Sequence, residues 1–325
     1  MKTWGPWAIV ILCIAVLPIA FPSPYLVSIM IFIALYGVLA SGMGLLMGQA
    51  GLFSLIAPTW FGLGAYTAGI LTARGLVSPI AGIAISVVVV CIVAWIIGLP
   101  VLRLKGLYLA CATFGILIIA QIAFVQLGDL TGGHSGLLGI PYLSIGGFTF
   151  DTEQEYYYLS WALCIGTLLF CRNIVESRVG RAIRASHDSE TASACMGVNI
   201  PQSRLNLFVL TAGMAAVSGS IFGFYLQFIS PDIFGFDLLV ELTLMCVIGG
   251  LGYVWAPLVG CVIISWMHEF FKSWLSSLFP VMTGEVTAIF FGIFIIVVLI
   301  FMPQGLVGGA MNVFAKYKGK GRGVS

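Results

Sequence analysis

The chain is poor in charge. Asp, Glu, Lys and Arg make up only 8% of its 325 residues, against 60% hydrophobic. Soluble domains carry about 25% charged residues, so this sequence cannot clothe a globule in a wet surface. It also lacks the apolar/polar alternation that a membrane β-barrel needs over segments of about ten residues. Runs such as IAGIAISVVVVCIVAWIIGL do not alternate. The eight cysteines (Cys13, Cys91, Cys111, Cys164, Cys171, Cys195, Cys246 and Cys261) form no CxxC pair and lie mostly in apolar runs. They read as small packing residues, without the spacings of zinc or disulfide use. The three histidines are scattered and no HExxH occurs. There is no GxxxxGK[ST] phosphate loop, and the Gly-Lys alternation at 319–323 is a short basic tail with no strand before it. No nucleophile–base constellation is visible, so nothing suggests an enzyme. If the chain moves something uphill, the energy comes from a partner.

What it does have is long apolar runs, each near the roughly 20 residues that cross a bilayer as a helix. The fold class is therefore all-α, a polytopic transmembrane bundle. Candidate spans are 7–21, 25–47, 50–73, 78–102, 106–127, 156–171, 205–228 and 283–303, about eight in all. The first, after Lys2, has the look of a signal peptide. Its end, LPIAFPSPY, lacks a small-x-small cleavage pattern, which favours an uncleaved first span. A further apolar region, 238–268, is interrupted at IGGLGYVWAP.

Lys and Arg in short loops mark the cytoplasmic side. Lys2, Arg103 with Lys105, the insert 172–204 and the basic tail 304–325 thus belong inside, which puts both termini in the cytoplasm. The loop 129–155 has four acidic residues and no Lys or Arg, and belongs outside. Counting crossings from Lys2 satisfies every one of these segments and leaves only Arg74 and Lys272 on the outer side. After residue 205 the parity holds only if 238–268 enters and leaves by one face. That predicts two half-helices meeting at Gly249, Gly250 and Gly252, a broken, re-entrant pair tolerated only where it is buried in protein or lines a watery path.

Two further patterns concern packing and charge inside the bilayer. Ala40-xxx-Gly44-xxx-Gly48 and Ala215-xxx-Gly219-xxx-Gly223 put small residues on single helix faces, for tight packing within the bundle or, less directly, a subunit interface. Ionisable groups within spans, which a proton- or sodium-coupled carrier needs, are scarce. Glu241, with Asp237 just before it, reads as interfacial rather than as a proton relay. Gln49, Gln121 and Gln227 are polar but cannot titrate.

The insert 172–204 stands out against this background with five arginines, two glutamates, an aspartate and a histidine. Residues 180–186 suit a short helix with Arg181 and Arg184 on a shared face. Ser186 or Asp188 is placed to cap a second one holding Glu190, Ala192, Cys195 and Met196, with Gly197 at its end and Pro201 beyond. Ala192, Cys195 and Met196, spaced i, i+3, i+4, form a small apolar knob. A helix this short needs a surface to rest on, its own bundle or a partner.

The string from Gly180 to Gly260 resembles the permease signature of ABC importers for branched-chain amino acids, specifically their LivM-type subunit. The segment G-R-A-x-R-A-x-x-x-x-E-x-A-A-x-x-x-G matches Gly180, Arg181, Ala182, Arg184, Ala185, Glu190, Ala192 and Gly197, with Ser193 for the second alanine. A second element matches Ser230, Pro231, Phe234, Phe236, Glu241, Leu242, Met245 and Val247 to Gly252. A third, upstream, matches Gly48, Gln49, Gly51, Leu52, Ser54, Phe61, Gly62, Gly64, Ala65 and Tyr66. Between Ser54 and Phe61 the family commonly has L-G-H-A-A-F, where this chain has Leu55-Ile56-Ala57-Pro58-Thr59-Trp60. That departure leaves the solute open among amino acids, urea and short amides.

The resemblance implies a transport subunit of an ATP-driven importer in the bacterial inner membrane, moving branched-chain or related amino acids by alternating access. The implied partners are a second, LivH-like permease subunit, two cytoplasmic ATP-binding subunits, a periplasmic substrate-binding protein and the lipid bilayer, with no nucleic acid. The permease binds no cofactor, because ATP is held by the partners. Gly180, Arg181, Ala182, Arg184, Ala185, Glu190, Ala192, Cys195, Met196 and Gly197 are implied at the ATPase-coupling surface. Gln49, Gly51, Ser54, Thr59, Glu241, Gly249, Gly250 and Gly252 are implied along the translocation path. The alternative is an autonomous secondary carrier or channel for a small polar solute; sparse intramembrane charge and the cytoplasmic insert favour the importer.

Overall fold

Helix starts in this chain are set by proline and by capping oxygens. In the computed structural model, which describes Pro18 and residues 23–278, proline stands in the first turn of α1 (Pro24–Ala50), α2 (Ala57–Ala73) and α3 (Pro79–Val101). There its missing N–H costs nothing. α4 is Leu107–Gln126. α5 (Glu153–Glu176) opens on a reciprocal cap, in which the Glu155 N–H donates to Thr152 Oγ1 and the Glu155 carboxylate accepts from the Thr152 N–H. α6 (Arg178–Asp188) and α7 (Glu190–Cys195) form the polar insert. α8 is Ile200–Leu226, α9 is Phe236–Gly249 and α10 is Ala256–Leu278. Two-residue strands pair in the loops, Leu137–Leu138 with Phe228–Ile229 and Ser144–Ile145 with Phe148–Thr149.

Five of the described helices, α1, α3, α4, α5 and α8, are long and apolar enough to cross a membrane. The chain is a helical, multi-pass membrane protein. The expected count of about eight full spans is not reached among the described residues, and the candidates 7–21 and 283–303 lie outside them. The candidate 50–73 is shortened to the 17 residues of α2. Its first residues are irregular because Gly51, at φ +64°, closes α1 with a left-handed cap.

α8 is the hub, packed along α2, α3 and α1, with α5 against the other side of α1. Both small-residue faces are seams within the chain. A Cβ on Gly219 would lie 2.0 Å from the carbonyl oxygen of Phe61, and one on Gly64 would lie 2.6 Å from Ala216 Cα, so α8 and α2 touch backbone to backbone. On α1, Gly44 faces Pro257 and Gly48 faces the Leu251 carbonyl, so this stripe seats the hairpin of α9 and α10.

That hairpin corrects the expected pair of half-helices. The limbs are unequal, 14 and 23 residues. The shorter runs alongside α1, where Cys246 Sγ approaches the Ala40 carbonyl oxygen at 3.3 Å. The longer returns until Glu269 accepts from the Tyr25 hydroxyl at the start of α1. Both limbs therefore open toward one end of the bundle, as the charge parity requires. The first limb is short because Ser230–Gly235 carries the chain inward before α9 begins. There Phe234 packs at the centre of the rings of Phe61, Tyr66, Phe124 and Phe222. Pro231, Phe234 and Gly235 of this segment are buried in protein, while Asp232 is exposed.

Candidate functional site

The insert is anchored to the bundle at three places, and each anchor has a local chemical cause. The first is the elbow between α5 and α6. Ser177 Oγ accepts from the Gly180 N–H at 3.1 Å and starts α6. Gly180 then passes so close to the end of α5 that a Cβ would lie 2.1 Å from the Ile174 carbonyl oxygen. Arg181 donates to the Glu176 carbonyl oxygen at 2.8 Å and Arg184 to that of Val175 at 2.9 Å. The two arginines thus satisfy orphan carbonyls at the negative end of α5. As expected, they share a face, and that face carries donors to this chain's own backbone.

The second anchor is Glu190. Expected on the ATPase-coupling surface, Glu190 is half-buried with its carboxylate engaged within this chain. It accepts from Arg204 Nη2 at 2.8 Å and from Lys105 Nζ, tying α7 to the start of α8 and to the loop after α3. Lys105 first and Arg204 second hold its carboxyl below the usual carboxylate range. The third anchor is His187, whose ring lies over Gly51. A Cβ on Gly51 would sit 2.1 Å from His187 Cδ2. Helix α6 therefore bears directly on the segment that joins α1 to α2.

The rest of the insert differs from expectation in detail. Asp188 ends α6, and the junction falls at Ser189, not at a cap by Ser186 or Asp188. α7 stops at Cys195, so Met196 lies one residue beyond it. Gly197, at φ +78°, makes the turn as expected, and Pro201 opens α8. Cys195 and Met196 are exposed, Met196 at 85%, with Val179 at 54% on α6. Ala182 is half-buried and Ala185 exposed; the side chain of Ala192 lies outside the described part.

Of the residues implied for a path, three share one property. Gln49 Oε1, Ser54 Oγ and Thr59 Oγ1 are buried with no hydrogen-bond partner among the described residues. Ser54 lines a small cavity, about the size that holds one water, with Met43, Trp60 and Thr211. The loop carrying Ser54 is pinned by the Leu55 N–H donating to Thr113 Oγ1 at 3.0 Å. Polar atoms kept buried and unpaired in this way are costly.

Glu241 stands apart from that group. It lies in α9, half-buried, five residues before Cys246, whose Sγ approaches the Ala40 carbonyl oxygen in the middle of α1. It is therefore deeper than the interfacial position expected of it, because the 230–235 segment lowers the start of α9. The three glycines at the break also separate. Gly249 presses on α10, where a Cβ would lie 2.1 Å from the Ala256 carbonyl oxygen. Gly250 turns at φ +103°, and Gly252 faces open space. Sequence reasoning missed Lys105, Arg204, His187 and Thr113. Their partners are up to 136 residues away, so no spacing rule signals them.

The family described as branched-chain amino acid transport system, permease component, matches residues 25–301. The high-affinity branched-chain amino acid transport system permease protein LivM of Salmonella typhimurium is 26% identical, over 90% of this chain and 73% of its own length. LivM of Escherichia coli K12 is 25% identical over 90% and 74%. The corresponding LivH protein of Escherichia coli K12 is 30% identical over a shorter stretch, 41% of this chain and 40% of its own. No solved structure matches the chain.

Proposed function

The chain belongs to the permease-component family of branched-chain amino acid transport systems, LivM-type, and from that premise we propose that it imports a branched-chain or related amino acid by ATP-driven alternating access. It does so as one half of a membrane pair with a LivH-like subunit. Two cytoplasmic ATP-binding subunits drive the pair and a periplasmic binding protein selects the solute. It sits in the bacterial inner membrane with its insert and both termini in the cytoplasm. The basic residues at the insert end and the acidic 129–155 loop at the other support this orientation.

One observation carries the reading: the insert is fixed to its own bundle on the inner side and leaves apolar groups exposed on the outer side. The elbow, the Glu190 pairs and the His187–Gly51 contact would pass a displacement of α6 and α7 to α5, to α3 and α8, and to the Ser54 loop. Val179, Cys195 and Met196 offer the ATPase an apolar seat. Glu241, a carboxylate at depth that its own chain leaves half-covered, supports a conduit bounded by α9 and the second subunit.

Reconstitution with candidate ATPases tests this. Uptake into proteoliposomes should require ATPase and ATP. Met196→Asp should release the ATPase while the permease stays folded. Uptake that proceeds unchanged without ATP sinks the proposal.

A further inference from the structure

A second candidate site lies where α3 leaves the bundle, and it shares Glu190, Lys105 and Arg204 with the second anchor of the insert. A cleft of about 570 Å³ opens there between the last turn of α3, α7 and the first turn of α8, within the roughly 300–1,000 Å³ of small-molecule sites. Leu99 and Leu102 line it, and so do Arg103, Lys105 and Arg204 with one carboxylate, Glu190. Three cations against one anion leave the cleft with a surplus of two positive charges. Glu190 engages Lys105 and Arg204. The Arg103 side chain has no hydrogen bond or ion pair among the described residues, and Arg204 Nε is buried without a partner.

The approach to this cleft is apolar. Ile92, Trp95 and Ile96, with Leu99, lie along one side of α3 at i, i+3, i+4 and i+7, each 42–56% exposed. That stripe faces away from the bundle and runs along the helix into the cleft. A ligand that satisfies both parts has an anionic head and a long hydrocarbon tail. We propose that the cleft binds an anionic phospholipid of the cytoplasmic leaflet, its phosphate on Arg103 and Arg204 and its acyl chain along the Ile92–Leu99 stripe. Free phosphate has no use for the stripe. The proposal requires only that the chain sits in a membrane, and it stands whether or not ATP drives transport.

The full chain in neutral detergent, titrated with fluorescent phosphatidylglycerol, tests it. Saturable binding is expected, with phosphatidylcholine of the same chains at least tenfold weaker and inorganic phosphate unable to displace the probe. Arg103→Gln should weaken binding about fivefold, while Arg103→Lys, which keeps the charge, stays within about twofold of the parent. Both variants change an exposed side chain without a partner, and unchanged melting would confirm that they fold. Equal binding of the two lipids, as expected if a protein subunit is the true occupant, overturns the proposal. So does an Arg103→Gln variant of unchanged affinity, or full displacement by inorganic phosphate, which would mark a free-anion site.

Discussion

α3 and α8 lie side by side, and they are built from opposite compositions. α3 is the most hydrophobic of the five spans, yet only 22% of its most apolar stretch is buried; α8 is less hydrophobic and 78% buried. In water the order would be reversed. Lipid is as apolar as Leu or Val, so large aliphatic side chains gain nothing by turning inward, and helices associate through close packing and polar contacts. The buried face of α3 follows the same rule, with Gly82, Ser86, Ala94 and Gly98 inside and Val88, Ile92, Trp95 and Ile96 outside. Between these two helices, hydropathy marks the side that faces away from the bundle, and small residues are prominent at the seam.

The hardest test of that comparison is Gly219→Leu in α8. Its Cβ would meet backbone, the Phe61 carbonyl oxygen at 2.0 Å, which no side-chain rotation relieves. We expect at least about 3 kcal/mol of destabilisation, the upper end of overpacking costs, and loss of the monodisperse peak in size-exclusion chromatography. Wild-type behaviour would show that α2 and α8 have room to part.

Backbone contact is also the rule at the elbow, outside the bilayer, where the effect should fall on function. Gly180→Ala pushes a methyl into the Ile174 and Val175 carbonyls. The bundle should still insert and elute normally, while ATP hydrolysis loses its link to uptake. Normal coupling of ATP to solute would exclude the elbow as the transmitting part.

A milder effect is expected at Glu190, whose depressed carboxyl sets the sign of its pH dependence. Its pairs contribute in full above about pH 4.3, where an unfolded Glu is ionised. They are lost as pH falls through the lower folded value. Proteolysis of the 177–199 segment should therefore be flat from about pH 8 to about pH 5 and rise only in stronger acid. Glu190→Gln should raise cleavage at neutral pH and flatten the profile. A variant as protected as the parent would mean that the ion pairs do not hold α7.

Much of the framework is legible in sequence because the bilayer enforces it. Most of the described spans and the break at Gly249–Gly252 follow from local composition, while the span expected from residue 50 begins at Ala57. The insert was legible as two short helices with Gly197 at the turn. What those helices hold was not, because Glu190 meets Lys105 85 residues away and His187 meets Gly51 across the chain. Glu241 shows a different limit. Its depth depends on the inward course of Ser230–Gly235, which is fixed by the ring cluster around Phe234 and has no periodicity to read.

The finest test returns to α3 and sets two of its residues against each other. Ser86 is fully buried, and its hydroxyl lies 2.7 Å from that of Ser220 in α8, which also donates to the Gly64 carbonyl oxygen at 3.2 Å. Interhelical hydrogen bonds of this kind contribute about 0.6 kcal/mol in membranes, so Ser86→Ala should lower stability by about that much in a denaturant titration. Ile92, one and a half turns on, is 53% exposed. In a soluble protein, truncating a buried Ile costs several times more than losing one hydroxyl. Here Ile92→Ala trades lipid contact in the folded state for lipid contact in the unfolded one, and the expected change lies within about 0.5 kcal/mol of zero. If Ile92→Ala proves the costlier substitution, that face of α3 is covered by protein, and the second permease subunit is the first place to look for the cover.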